Sequence, residues 1–148
     1  MIATLLGRLQ ADSYFALPPP KSTGRDRFNL RWLQRKVSAS FAPADVQRTL
    51  TALTAQTIAD AIIAHCAGAT EILVCGGGTH NLTLMRDLAT RLLPRTLTTT
   101  AALGVPVNEV EALAFAWLAR ETMAGRPGNR PAVTGARGSR VLGAIYHA

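Results

Sequence analysis

Apolar residues recur along this chain first at helical and then at strand spacing. Ile2, Leu5, Leu6 and Leu9 fall on one face of a short amphipathic helix over residues 2–11, which Asp12-Ser13 ends. Tyr14-Phe15-Ala16-Leu17 leads into Pro18-Pro19-Pro20, an extended segment because proline fixes φ and disfavours helix in the residue before it. Phe28, Leu30, Trp32 and Leu33 then form an apolar anchor. Ala42-Pro43-Ala44-Asp45 opens the clearest helix, with Val46, Leu50, Leu53, Ala61 and Ile62 as its buried stripe and Gly68 as its stop.

The period changes after Gly68. Residues 71–75 are a short apolar run that reads as a buried strand, ending at Gly76-Gly77-Gly78. Leu82, Met85, Leu88 and Leu92 return to helical spacing until Pro94, and residues 95–100 read as a second strand. Residues 101–107 form a loop. A last helix opens at Asn108 and runs through Val110, Leu113, Ala114, Trp117 and Leu118 to Gly125, with Asn108 and Glu111 spaced as a capping box. The tail begins as a turn-rich loop over 126–131, and residues 141–146 form a strand or an apolar plug. This alternation predicts an α/β layer with a parallel crossover. Two strands leave edges and faces for something else to cover.

Length and composition set limits. With 148 residues and 48% hydrophobic content, the chain holds one domain with a real core. No apolar run is long enough to span a membrane, and residues 1–8 lack the features of a secretory signal, so a cytoplasmic protein is expected. Cys66 and Cys75 lack metal-ligand spacing and are expected to be buried free thiols. His65 is expected at the surface, near a helix end. The net charge of +7 raises nucleic acid as a partner, but the arginines are scattered, Arg25, Arg27, Arg31 and Arg35 being the densest group, and aromatics are few. Nucleic acid is therefore not the expected partner.

The chemistry centres on the glycines. Three in succession at a strand end let backbone N–H groups approach a ligand with no Cβ in the way, and the following helix aims its positive end at the same place. An anion, above all a nucleotide phosphate, suits such a turn. The loop from Lys21 to Asp26 has two readings. It faces a ligand, or it enters a helix with Ser22 or Thr23 as the cap and Asp26 in the first turn.

Several strings, in order, resemble the C-terminal half of anhydro-N-acetylmuramic acid kinases. They are Tyr14-Phe15 with Pro18-Pro19-Pro20-Lys21-Ser22-Thr23-Gly24-Arg25 and Phe28-Asn29-Leu30, then Val74-Cys75-Gly76-Gly77-Gly78 with Asn81, then Glu111-Ala112-Leu113-Ala114-Phe115-Ala116-Trp117-Leu118-Ala119. Gly125, Pro127-Gly128-Asn129, Pro131, Val133-Thr134-Gly135-Ala136, Val141-Leu142-Gly143 and Ile145-Tyr146 complete the likeness.

The resemblance implies one lobe of the actin-like, sugar-kinase (ribonuclease H-like) fold, an incomplete structure in which residues 1–148 are a single C-terminal nucleotide-binding lobe. It implies ATP and magnesium as cofactors. The family's reaction opens the 1,6-anhydro ring with water while phosphorylating the 6-position, a step in cell-wall recycling. By the same resemblance Gly76, Gly77, Gly78 and Asn81 lie at the nucleotide, and Ser22, Thr23, Arg25 and Glu111 at the substrate cleft, the cap reading of Glu111 remaining open. No catalytic or metal-ligating residue is assigned.

The chain departs from the family pattern twice. Asn108 and Glu109 stand where the family carries aspartate then tryptophan, and the family's N-terminal lobe, with its phosphate-binding loop and the Asp-Thr-Gly-Pro-Gly-Asn segment bearing the base, has no counterpart in these residues. Expected consequences are no kinase activity from this chain alone, and either a complementing N-terminal lobe or self-association into a homodimer. The alternative is a stand-alone nucleotide-binding or regulatory module.

Overall fold

Proline at the first position of a helix loses no hydrogen bond, and an acid in the first turn meets the positive end of the dipole. Pro43 and Asp45 start the longest element in this way. In the computed structural model, which describes residues 1–146, the helices are α1 (Ala3–Gln10), α2 (Leu30–Gln34), α3 (Pro43–His65), α4 (Leu82–Leu92), α5 (Val110–Met123) and α6 (Pro131–Thr134). The strands are β1 (Glu71–Val74) and β2 (Thr96–Thr99), and short 3-10 turns cover Gly77–His80 and Thr100–Leu103. The strands pair in parallel with Ile72 opposite Leu97, and α4 makes the crossover between them. The α/β expectation therefore holds at the level of a mixed chain with a small parallel sheet. None of the helices is long and apolar enough to cross a membrane among the described residues.

Two cores lie along α3. On its N-terminal half, Leu53 meets Leu5, Leu9 and Trp32, with Phe15, Phe28 and Leu50 packed around them. On its C-terminal half, the small Ala55 and Ala59 let Leu88 and Leu92 of α4 approach, and Ile72 and Leu97 close the cluster from the sheet. The expected stripe on α3 is shifted accordingly. Thr49, Ala52, Ala55 and Ala59 are buried beside Leu53, whereas Ala61 is exposed, because a helix held on two flanks buries its small residues where neighbours come closest. The buried Thr49 hydroxyl donates to the Asp45 carbonyl at 2.7 Å and accepts from the Ile2 amide at 2.9 Å. An Arg48–Asp87 ion pair of 2.7 Å joins α3 to α4.

Several local expectations are corrected. Residues 30–34 form a helix, and its cap is neither Ser22 nor Thr23. Asn29 accepts from the Trp32 amide at 3.0 Å, the short-range bond that fixes a first turn. Leu30, expected in the apolar anchor, is 67% exposed. The Asn108 capping box does not form, since Glu109 is the N-cap of α5, sits in the helical region and makes no side-chain cap bond. Cys66 and Cys75 are both exposed, not buried: Cys66 follows the last turn of α3, and Cys75 follows a strand whose alternate positions 71, 73 and 75 are all exposed. His65 is exposed at the end of α3, as expected.

Uncovered apolar surface shows most clearly on α5, where Leu113 is 53%, Phe115 64% and Trp117 45% exposed. The helix is apolar nearly all round, and no helix or strand packs extensively along it among the described residues. The tail covers part of it instead. Residues 142–145 line a cavity of about 500 Å³ with Phe115, Leu118, Ala119, Thr122 and Met123, and the Thr122 hydroxyl donates to the Leu142 carbonyl. Of the two readings for 141–146, this supports an apolar segment laid on a helix, not a strand.

Candidate functional site

Gly76 follows the end of β1 by two residues, with φ of 80° and ψ of −179°, a combination that side chains other than hydrogen rarely allow. Its amide donates to the Val107 carbonyl at 2.7 Å, which ties the turn to the loop that launches α5. Its carbonyl accepts twice from Thr79, from the amide at 3.1 Å and from the hydroxyl at 2.8 Å. Gly77 and Gly78 open the 3-10 turn, where backbone N–H groups have no partner within the helix. Neither amide donates to another group among the described residues. A Cβ built on Gly77 would meet nothing within 4 Å, and one on Gly78 would have only Leu84 Cδ2, at 3.6 Å. Two unpaired donors, on glycines whose Cβ positions are uncrowded, thus lie beyond the carboxyl end of a parallel strand, where ligands of α/β sheets bind.

The helix after the glycines does not start at once. The 3-10 turn intervenes, and Asn81 then caps α4 by accepting from the Leu84 amide at 3.1 Å. Asn81 also lines a small pocket of about 170 Å³ with Leu50, Thr54 and Leu84.

The remaining sites of interest lie elsewhere. Ser22, Thr23 and Arg25 are exposed in the segment before α2. Thr23 and Arg25 line a groove of about 730 Å³ whose wall is Tyr14, Phe15, Phe28 and Trp32 and whose far side is α3, through Leu50, Leu53, Thr54 and Thr57. Ser22 is not part of that lining, nor are the glycines and Glu111. Leu50 and Thr54 of α3 wall both this groove and the Asn81 pocket. Glu111 is exposed in the first turn of α5, four residues after the Val107 carbonyl that holds Gly76. The structure therefore links Gly76 to the loop before Glu111 and sets Thr23 and Arg25 apart on the flank of α3.

Two acids, the half-buried Asp12 and the buried Glu121, were not singled out from the sequence. Asp12 accepts from Trp32 Nε1 at 2.8 Å, the Tyr14 amide at 3.1 Å and Arg27 at 2.6 Å. Burial pushes its pKa up, but the hydrogen bonds from Trp32, Tyr14 and Arg27 outweigh it and bring the carboxyl from 3.8 to about 2. Glu121, 6% exposed, is gripped by Arg126 at 2.6 Å and by Arg120 at 3.1 Å. The Arg126 hydrogen bond is the main cause of its fall to about 2, against an opposing push from burial. Both acids staple chain segments: Asp12 holds the turn after α1 to α2, and Glu121 holds the tail to α5. The adjacent Arg120 and the Arg126 just beyond the helix were the only sequence signals for Glu121.

A family model described as anhydro-N-acetylmuramic acid kinase matches residues 1–148. The chain belongs to the anhydro-N-acetylmuramic acid kinase family. It is 54% identical over 150 residues to the anhydro-N-acetylmuramic acid kinase of Burkholderia orbicola (strain AU 1054), covering 97% of this chain and 39% of that protein. Likeness to the anhydro-N-acetylmuramic acid kinase of Xanthomonas campestris pv. campestris (strain 8004) is 53% over 147 residues, with 99% and 39% covered. That of Cupriavidus pinatubonensis is 52% identical over 146 residues, with 96% and 39% covered. The chain thus spans about two fifths of the length of these kinases. Among its described residues no three His, Cys, Asp or Glu side chains gather to hold a metal ion.

Proposed function

We propose that residues 1–148 are the C-terminal, nucleotide-binding lobe of an anhydro-N-acetylmuramic acid kinase with the sugar-kinase fold, and that they work with a complementing N-terminal lobe. In the family reaction, ATP with magnesium phosphorylates the 6-position while water opens the 1,6-anhydro ring. The observation that carries the reading is the Gly76–Gly78 turn, in which the Gly77 and Gly78 amides have no partner among the described residues, in a chain matched by the kinase family over its whole length.

The Gly77 and Gly78 amides, without a partner among the described residues, suit a nucleotide phosphate, since successive backbone N–H groups answer negative charge without a lysine or arginine. Magnesium enters with ATP. Asn81 acts by capping α4 and so sets the direction from which that helix meets the nucleotide. Glu111, exposed on the loop side of the turn, faces the sugar, while Thr23 and Arg25 contribute from the flank of α3. Phosphoryl transfer depends on positioning and charge stabilisation from both walls of a cleft. With one wall, the chain holds nucleotide and does not turn it over. The exposed Leu113, Phe115 and Trp117 of α5 supply an apolar surface of the kind a second lobe covers.

Calorimetric titration of ATP with magnesium into the isolated chain tests this. Saturable binding without anhydrosugar-dependent turnover is expected. Absence of binding by a folded chain would contradict the nucleotide reading.

A further inference from the structure

The glycine turn contains a peptide that two glycines leave free to rotate. A peptide unit is planar, so the Gly76 carbonyl and the Gly77 N–H belong to one rigid plane and point in opposite directions. In a chain with side chains, turning that plane over is resisted by Cβ contacts. Between Gly76 and Gly77 there are none, and a Cβ on either would meet nothing within 4 Å. Two orientations of the plane are therefore open to the backbone. One presents an N–H to the space in front of the turn. The other presents a carbonyl oxygen, which repels an anion.

Thr79 selects between them. Its hydroxyl donates to the Gly76 carbonyl at 2.8 Å, and its amide donates to the same oxygen at 3.1 Å. The amide bond belongs to the 3-10 turn and is available to any residue at this position. The hydroxyl bond belongs to Thr79 alone, and the side chain that makes it is half-buried. On the other side of Gly76, its own amide is held by the Val107 carbonyl at 2.7 Å, so the residue is anchored at both ends. With that carbonyl held by Thr79, the Gly77 N–H lies on the opposite edge of the same plane, points away from Thr79 and carries no partner among the described residues.

We propose that Thr79 is a positioning residue for the nucleotide: its hydroxyl locks the Gly76–Gly77 peptide with the Gly77 N–H turned toward a phosphate oxygen. The inference rests on the nucleotide reading above and adds to it the side chain that orients the donor. Thr79 itself touches no phosphate, since its hydroxyl is spent on the Gly76 carbonyl.

The test is a titration of ADP and of ATP with magnesium into the complete 148-residue chain labelled with ¹⁵N-glycine. Amide resonances are followed in the unaltered protein and in Thr79→Val, Thr79→Ser and Thr79→Ala. The unaltered chain is expected to show saturable shifts of the Gly77 and Gly78 resonances. Thr79→Val, which keeps shape and loses the donor, is expected to bind about tenfold more weakly, the upper scale of one neutral hydrogen bond. Thr79→Ser keeps the hydroxyl and is expected to bind within about twofold of the unaltered chain, on the same reasoning. Thr79→Ala repeats the loss with less bulk, so a folding defect peculiar to valine is recognised. Affinity unchanged in both Thr79→Val and Thr79→Ala would overturn the role of the hydroxyl and leave nucleotide binding standing. Equal weakening in Thr79→Ser would also overturn it, since the donor is then irrelevant. A folded, unaltered chain that shows no saturable shift would overturn the nucleotide reading and this inference together.

Discussion

Replacing Gly76 and Gly77 one at a time by alanine separates two reasons for a glycine. Gly76 has φ of 80° and ψ of −179°, a region of backbone space that is nearly closed to residues with a Cβ. No neighbouring atom lies within 4 Å of a Cβ placed there, so crowding adds nothing and the cost is that of the backbone alone. That cost is about 1–3 kcal/mol. Gly77 has no positive φ and also has open space at its Cβ position. Alanine there restricts the unfolded chain and is expected to leave stability unchanged or raise it by up to about 1 kcal/mol. Its methyl group nonetheless projects from the turn at which a phosphate is expected. Urea unfolding, read as the shift in midpoint at constant slope, gives the stabilities. ATP titration of the same proteins gives the affinities. Gly77→Ala should lose nucleotide affinity while keeping its stability, and Gly76→Ala should lose stability. If Gly76→Ala is as stable as the unaltered chain, the turn does not have this conformation. If Gly77→Ala binds ATP unimpaired, nothing approaches the turn closely at that residue.

Asp12, with a folded pKa of about 2 against 3.8, contributes stability that is fully present above about pH 5. The contribution falls as pH drops through 4 toward 2, as the carboxylate is protonated. After allowance for screening at a site near the surface it is on the order of 1–2 kcal/mol. Asp12→Asn should flatten the acid limb of a pH-dependent unfolding series followed by tryptophan fluorescence, and an unchanged acid limb would contradict the role given to Asp12. Asn81→Ala removes the cap of α4 and should cost about 1 kcal/mol in urea unfolding. Asn81→Ser should recover most of that loss, whereas a contribution from the amide beyond capping would leave serine as weak as alanine.

Local signals in the sequence carried the order of the elements. Pro43 and Asp45 located the start of α3, and the switch from the apolar run at 71–75 to the glycines and then to Leu88 and Leu92 located the β1–α4–β2 unit. What was hidden depends on distant partners. Asp12 is joined to Trp32 and Arg27, residues 20 and 15 positions away, so no spacing rule exposes it. The cap of α2 was misread because Ser22 and Thr23 are good cap residues in a polar loop, while Asn29, inside what looked like an apolar anchor, makes the bond. The exposure of α5 depends on partners in the same way: an apolar helix implies a cover, and periodicity does not say which segment supplies it. The thiols follow the same logic, since Cys75 was taken for a core residue on a sheet whose outer face proved open. Of the candidate site, the glycine turn was legible because its chemistry is local. The Val107 carbonyl and the Thr79 hydroxyl that hold it were not, because a hydrogen bond to one backbone oxygen leaves no pattern in composition or period.

The most direct measurement is anhydrosugar-dependent ATP turnover in a coupled assay, made on the chain alone and after mixing with the N-terminal lobe of one of its relatives. The chain alone should be inactive, and the mixture should phosphorylate the sugar, with activity falling when Gly77→Ala replaces the unaltered chain. Turnover by the chain alone, or an inactive mixture of two folded lobes that bind each other, would contradict its assignment as the nucleotide wall of a two-lobed kinase.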